Sequence, residues 1–272
     1  SYGFGSGGPA IMTTDRSGCG QGYVGADQSP TKLYNAFQEY TFPHAENNNC
    51  NYVSTFNGTS SAAPIISGVI ALMLEANPNL TWRDVKHILA TTSTQVDSSF
   101  TPVAVNGVVY HSWVTNAVDY KFHNYYGFGG VDANAAVSAA SSYTNGSLGS
   151  SLFLGYTSSA TLNAIIPEFQ IFTNTIPIST SGTVEFVAIR LNMKHASTYE
   201  LGMRLTSPSG TVTTILQPYT ALNHNVDGYI YLAASAFYGE SLAGDWTLNL
   251  VDHNSNSVQM TLVDWGISFD YR

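Results

Sequence analysis

Phe56-Asn57-Gly58-Thr59-Ser60-Ser61-Ala62-Ala63-Pro64 places a serine at a Gly-Thr-Ser turn, with an apolar run directly after it. A hydroxyl so placed could attack a carbonyl in acyl transfer. It would need a base to take its proton, a carboxylate to orient that base, and donors to meet the oxyanion. The run after the turn predicts a helix over 60–77. Apolar residues lie on nearly every face of it, so burial is expected. Pro64 is expected in its first turn, where a missing N–H costs little. Gly68 would let another backbone approach closely. Ser60 would then sit at the positive end of the helix dipole, beside N–H groups with no partner inside the helix. Such groups suit an oxyanion. Serine also caps helices without doing chemistry, so the turn alone leaves both readings open.

Other candidates for chemistry are sparse. His44 is the one histidine before Ser60, and it lies in a polar stretch that reads as a solvated loop. His111 and His123 fall on closing strands and read as structural. Asp15 and Asp27 could orient a base. Asp132, Glu240, Asp245, Asp252 and Asp264 offer oxygen ligands, but their spacing matches no calcium loop, and they read as solvated turn and edge-strand residues.

Several elements must position Ser60. A short strand is expected over 10–14, then a long polar excursion over 18–53 with Tyr23, Tyr34, Phe37, Tyr40 and Phe42 scattered through it. That excursion reads as a surface insertion, and long loops of this kind can also be functional. Cys19 and Cys50 lie within it. A local disulfide between them is expected, with a bridge to a segment outside this chain as the alternative. Residues 52–56 should lead as a strand into the turn. After Asn77-Pro78-Asn79, Thr81 caps a helix reaching about Thr92, with Asp84 near its positive end and Val85, Ile88 and Leu89 on one apolar face. Strands are expected over 108–111 and 113–119, and Asp132 starts a short Ala-rich helix, completing an α/β layer.

A Ser-, Gly- and Thr-rich stretch separates this block from the C-terminal part of the chain. The boundaries expected are 1–140, a linker over 141–160, and 161–272. In the last block Val187, Ile189 and Leu191 alternate with other residues. So do Leu201, Met203 and Leu205; Trp246, Leu248 and Leu250; and Val263, Trp265, Ile267 and Phe269. Period two, short runs and the Ser207-Pro208-Ser209-Gly210 turn predict an antiparallel β-sandwich.

Composition bounds the rest. The 272 residues carry 9 Lys and Arg against 18 Asp and Glu, a formal charge of −9, which gives no basic footprint for nucleic acid. With 44% hydrophobic and 10% charged residues the chain is globular in composition. No apolar run is expected to reach membrane-spanning length. The opening shows no Met, no signal peptide and no capped helix, so the chain is expected to begin inside a domain.

Gly58-Thr59-Ser60-Ser61-Ala62-Ala63-Pro64 resembles the nucleophile motif of subtilisin-like serine proteases, and residues 68–85 resemble its kexin and furin branch. Ile11-Met12-Thr13-Thr14-Asp15 resembles that branch's strand before the nucleophile, and His123-Asn124-Tyr125-Tyr126-Gly127-Phe128-Gly129-Gly130 resembles its last core segment. Leu201-Gly202-Met203-Arg204-Leu205-Thr206-Ser207-Pro208, Tyr238-Gly239-Glu240-Ser241 and Gly244-Asp245-Trp246 resemble the P domain that follows the catalytic domain in kexin-like convertases. The departure is Tyr199-Glu200, where Asp is commoner.

The resemblance implies an α/β subtilisin-like fold, here the C-terminal portion of the catalytic domain, followed by an all-β, jelly-roll-like P domain. It implies a secreted, extracellular or periplasmic serine endopeptidase with Ser60 as nucleophile, cleaving after Lys or Arg. Family order along the chain is Asp, His, Ser, and neither Asp15 nor Asp27 stands in the family's Asp-Thr-Gly or Asp-Asp-Gly context. The triad Asp and His and the oxyanion Asn are therefore expected on an upstream segment, absent or present as a separate chain, and the 272 residues alone are expected to be inactive. Structural calcium, a protein or peptide substrate, and a chaperone or inhibitor partner are further implications. The competing reading is a non-catalytic β-sandwich module carrying a degenerate protease remnant.

Overall fold

The structure is a computed structural model and describes residues 11–23, 45–56, 58–220, 224–256 and 258–272. Two compact units make up the chain, Ser1–Ala76 and Asn77–Arg272.

In the first unit β1 (Ile11–Thr14) pairs antiparallel with β2 (Tyr52–Phe56), with Ile11 opposite Phe56 and Thr14 opposite Tyr52. Cys19 and Cys50 form a disulfide, which realises the local pairing. Buried Asn47 holds the turn before β2: its amide donates to Tyr52 O at 2.9 Å, and its side-chain oxygen accepts from Tyr52 N at 3.1 Å. Most of the 18–53 excursion, including His44 and Asp27, lies outside the described residues.

α1 (Thr59–Ala76) follows the turn. Its buried residues are Ser61, Val69 and Met73, one stripe at spacings of eight and four. The expected all-round burial is not met: Ile65 is 49% and Leu72 50% exposed. The described residues supply a neighbour for one face only. Pro64 is the sixth residue of the helix rather than part of its first turn. Its missing N–H leaves the Ser60 carbonyl without the usual i+4 donor. At 18 residues, α1 is also long and apolar enough by composition to cross a membrane, which corrects the expectation that no run reaches that length.

The second unit opens with α2 (Trp82–Thr92), started by a full capping box. Asp84 N donates to Thr81 Oγ1 at 3.3 Å, and Thr81 N donates to Asp84 Oδ2 at 2.9 Å. Short pairs follow: β3 (Val103–Val105) with β4 (Val108–His111), and β5 (Val114–Thr115) with β6 (Lys121–Phe122). The strand expected over 113–119 thus shortens to two residues, because Asn116 turns the chain by accepting from Val118 N and Tyr120 N. α3 (Ala133–Ser142) starts on Asp132, whose carboxylate accepts from Ala135 N at 2.9 Å.

The sandwich has β7 (Leu152–Ser158), β8 (Ala164–Ile165), β9 (Phe172–Ile178), β10 (Val184–Ser197), β11 (Leu201–Thr206), β12 (Val212–Leu216), β13 (Asn225–Ala234), β14 (Gly244–Asp252) and β15 (Thr261–Tyr271). One sheet runs β13-β10-β15-β7, with β8 also on β15, and the other runs β12-β11-β14-β9. Leu152-Phe153-Leu154, placed by the sequence in a linker, is the start of an edge strand paired with β15, with Leu154 packed on the core and Leu152 and Phe153 exposed. The inward rows bury Val187, Ile189, Leu191, Leu201, Met203, Leu205, Leu248, Leu250, Ile267 and Phe269 around Trp246 and Trp265. Burying each of these side chains is worth about 1.5–3 kcal/mol. Val263 departs from the predicted alternation. Asn192 pairs with Asp264 and Met193 with Leu262, so Val263 is the extra residue of a bulge and Leu262 takes the inward place.

Candidate active site

Ser60 is the second residue of α1 and is exposed. Gly58 precedes the helix with φ +79°, a left-handed conformation that favours glycine although the space beside it is open. Ser61 N and Ala62 N both donate to Gly58 O, at 3.1 and 3.4 Å, so Gly58 occupies the cap position and Ser60 lies inside the helix. Capping is therefore not the task of Ser60. Its own N–H is among the first helical donors that have no intrahelical acceptor. Buried Ser61 is engaged, its hydroxyl donating to Gly58 O at 2.8 Å. Among the described residues no side chain is hydrogen-bonded to the Ser60 hydroxyl.

The remaining sequence candidates scatter. Asp15 sits in the β1 turn and accepts from Arg16 N at 2.8 Å. His123 is buried among Phe100, Trp113, Tyr125 and Tyr126, with Nδ1 accepting from Tyr125 N at 3.0 Å. The ring of buried His111 lies 4.3 Å from that of Tyr125, tilted by 31°. Of the five carboxylates, Asp132 caps α3, Asp264 binds Asn192 and Arg190, and Asp245 is exposed on β14, opposite Pro177 of β9. Glu240 is buried, accepting from Ala117 N at 3.0 Å and from Thr211 Oγ1. Asp252 is buried, and burial raises its pKa. Among the described residues no three His, Cys, Asp or Glu side chains come together to hold a metal.

What the sequence reading did not find is a polar seam between residues 77–142 and the sandwich. Arg83 of α2 grips buried Glu185 of β10 with two bonds, Nε to Oε2 at 2.9 Å and Nη2 to Oε1 at 2.5 Å. Lys86 donates to Glu185 O at 2.8 Å, and His87 Nδ1 meets the Tyr238 hydroxyl at 3.0 Å. Asn116 is buried and donates to Ala236 O and Tyr238 O, both at 3.0 Å. Tyr110 meets His253 Nε2 at 2.5 Å, while Asn106 meets its Nδ1 at 3.2 Å. Burial pushes the Tyr110 hydroxyl up to about 12 and His253 below its ordinary value. The signal in the sequence was a polar side chain amid apolar alternation, as in Val184-Glu185-Phe186-Val187. A periodicity reading cannot name its partner 102 residues away.

Comparison with known proteins agrees with both blocks. Residues 25–129 match the Subtilase family and residues 184–269 the Proprotein convertase P-domain. The chain is 30% identical to the Aeromonas extracellular serine protease of Aeromonas sobria, over 96% of its own length and 45% of the relative's. It is 31% identical to human proprotein convertase subtilisin/kexin type 5 over 72% of its own length and 10% of that protein. The crystal structure of the serine protease of A. sobria superposes with a TM-score of 0.83 at 27% identity, covering 97% of this chain and 51% of that one. The same protease is also solved in complex with a chaperone. The chain thus spans about half the length of the Aeromonas relative.

Proposed function

We propose that this chain, the C-terminal portion of a subtilisin-like catalytic domain joined to a P domain, is the nucleophile-bearing part of an extracellular serine endopeptidase. The observation that carries the reading is Ser60 itself. It is exposed in the first turn of an apolar helix, reached through a left-handed Gly58, and its hydroxyl has no other task among the described residues. Ser60 Oγ attacks the scissile carbonyl and its proton passes to a histidine base. The oxyanion meets the Ser60 N–H at the helix start, the leaving amine takes the proton, and water then hydrolyses the acyl-enzyme.

The base, its orienting Asp and an oxyanion Asn belong to an upstream segment of the whole enzyme. Two facts support this: the chain spans under half of the Aeromonas protease, and α1 exposes apolar side chains a further layer would cover. On this reading the 272 residues alone do not hydrolyse peptides. Cleavage after Lys or Arg is supported by the motif likeness to the kexin branch alone. Structural calcium is supported by the motif likeness to the kexin branch alone. A chaperone partner is supported by the chaperone complex of the A. sobria protease, and an extracellular location by that relative's name.

Intact mass spectrometry of the whole enzyme, before and after a fluorophosphonate probe, tests the reading. One probe mass on the peptide containing Ser60, lost in Ser60→Ala, supports it. A complete enzyme whose Ser60 stays unlabelled sinks it, and the binding-module reading then takes over.

A further inference from the structure

The outward face of the β13-β10-β15-β7 sheet carries three tyrosines that the core does not use. Across the ladder, Arg190 of β10 stands opposite Tyr231, and Asn192 opposite Tyr229. On the other side the same two residues face Gly266 and Asp264 of β15, and Gly266 pairs with Ser158 of β7. Tyr156 leans over Gly266, where an added Cβ would come within 3.4 Å of its ring and 3.0 Å of Ser158 Oγ. Tyr231 is 63%, Tyr229 53% and Tyr156 39% exposed. Ring centroids lie 6.2 Å apart for Tyr229 and Tyr231, and 6.5 Å for Tyr156 and Tyr231.

The polar groups between the rings are fixed. The Arg190 guanidinium lies 5.3 Å from the Tyr156 centroid and 5.0 Å from that of Tyr229. It donates to Ser158 Oγ at 3.1 Å and pairs with Asp264 at 3.5 Å. Asn192 Nδ2 donates to the other oxygen of Asp264 at 2.9 Å. Guanidinium, carboxylate, amide and hydroxyl are thus set side by side, each with further hydrogen-bonding capacity.

Charge and composition narrow the occupant. Arg190 and Asp264 neutralise each other, so the centre of the face complements an uncharged ligand, on a chain whose net charge is −9. The next outward pair along β10 and β13 is Ala188 and Ala233, so the rings stand clear of bulk on that side. Tyrosine offers an apolar ring with a polar tip. Exposed rings beside paired donors and acceptors suit a molecule with C–H faces and a rim of hydroxyls. Jelly-roll sandwiches serve as lectin domains elsewhere.

We propose that this face binds a neutral polysaccharide. Sugar rings stack on Tyr156, Tyr229 and Tyr231, and their hydroxyls bond to Asn192, Asp264 and Arg190. The tyrosine rings are tilted by 37° and 64° to one another, which fits a twisted, soluble chain better than a flat crystalline surface.

Affinity electrophoresis through gels holding xylan, hydroxyethylcellulose, laminarin or starch is the test. Retardation by at least one of the four is expected. Tyr231→Ala and Tyr156→Ala each weaken it about tenfold. Tm should move by no more than about 2 °C, since both rings lie outside the core. Tyr231→Phe keeps most of the binding because the ring remains, and Ser60→Ala binds as the parent does. Unchanged mobility in all four gels overturns the proposal. So does retardation that survives in the Tyr156→Ala/Tyr231→Ala double variant. A face that captures casein in a Tyr231-dependent way, with no polysaccharide shift, is a protein-docking surface, and the proposal fails there too.

Discussion

Tyr110 of β4 and Gly202 of β11 approach so closely that a Cβ at position 202 would overlap the Tyr110 hydroxyl and stand 2.9 Å from His253 Nε2. Glycine is needed there for space, since its backbone is ordinary strand. Gly202→Ala should cost about 1–3 kcal/mol through overpacking. For a unit of this size, Tm then falls by roughly 2–4 °C per kcal/mol. Tyr110→Phe removes the clashing oxygen, so the double variant should recover part of the loss. Strict additivity of the two changes in a thermal-melt cycle would contradict this account of the seam.

Arg83 and Glu185 form the seam's buried ion pair, with 13% and 5% of their side chains exposed. Glu185→Ala strands the guanidinium, and about 3–5 kcal/mol of stability should go with it. Replacing both by apolar residues, Arg83→Met with Glu185→Leu, should restore only part of that, because Arg272, 3.5 Å from Glu185, still loses its partner. A loss that vanishes in 0.5 M salt would mean the pair is solvated after all, because screening reaches exposed charges far more than buried ones.

Four histidines make stability depend on pH. Burial lowers His87, His111, His123 and His253 below their ordinary value, with Arg272 adding to the effect on His87 and His123 on His111. Asp84 and Glu185 pull His87, Gln217 pulls His111 and Asp97 pulls His123 in the opposite direction without prevailing. The unfolded chain therefore binds more protons than the folded one just below pH 6.5. Their contribution is fully present above that pH and is lost as pH falls toward the folded values. Thermal melts at pH 7.5, 6.0 and 5.0 should show Tm declining. The decline should be shallower in His253→Gln, and a Tm that holds flat to pH 5.0 would refute the assignment.

Local physics was legible in the sequence. Thr81 and Asp132 announced their helices because a cap is a bond between near neighbours. Alternation at Leu201, Met203 and Leu205 announced a strand with an apolar face on the core. Ser60 stood out because a Gly-Thr-Ser turn ahead of an apolar helix is an unusual combination. The failures share a different cause. The environment of α1 was misjudged because periodicity reports which faces are apolar, not which are covered. The bulge at Val263 was invisible because a single extra residue leaves composition unchanged. Leu152-Phe153-Leu154 looked like a break in a linker because its partner strand begins more than a hundred residues later.

The capping box of α2 joins residues three apart in sequence, whereas the seam joins residues more than a hundred apart. The seam bonds Arg83–Glu185, Asn116–Tyr238 and Tyr110–His253 span 102, 122 and 143 residues. A ribosome adding about 5–20 residues per second needs several seconds or more to supply those partners. Meanwhile α2 and β4 emerge with Arg83, Asn116 and Tyr110 unmatched, and closure over such distances is intrinsically slow. The last strand, β15, supplies the centre of one sheet rather than its edge. The β13-β10-β15-β7 sheet therefore cannot be completed before β15 has been synthesised, whereas β12-β11-β14-β9 needs no residue beyond β14.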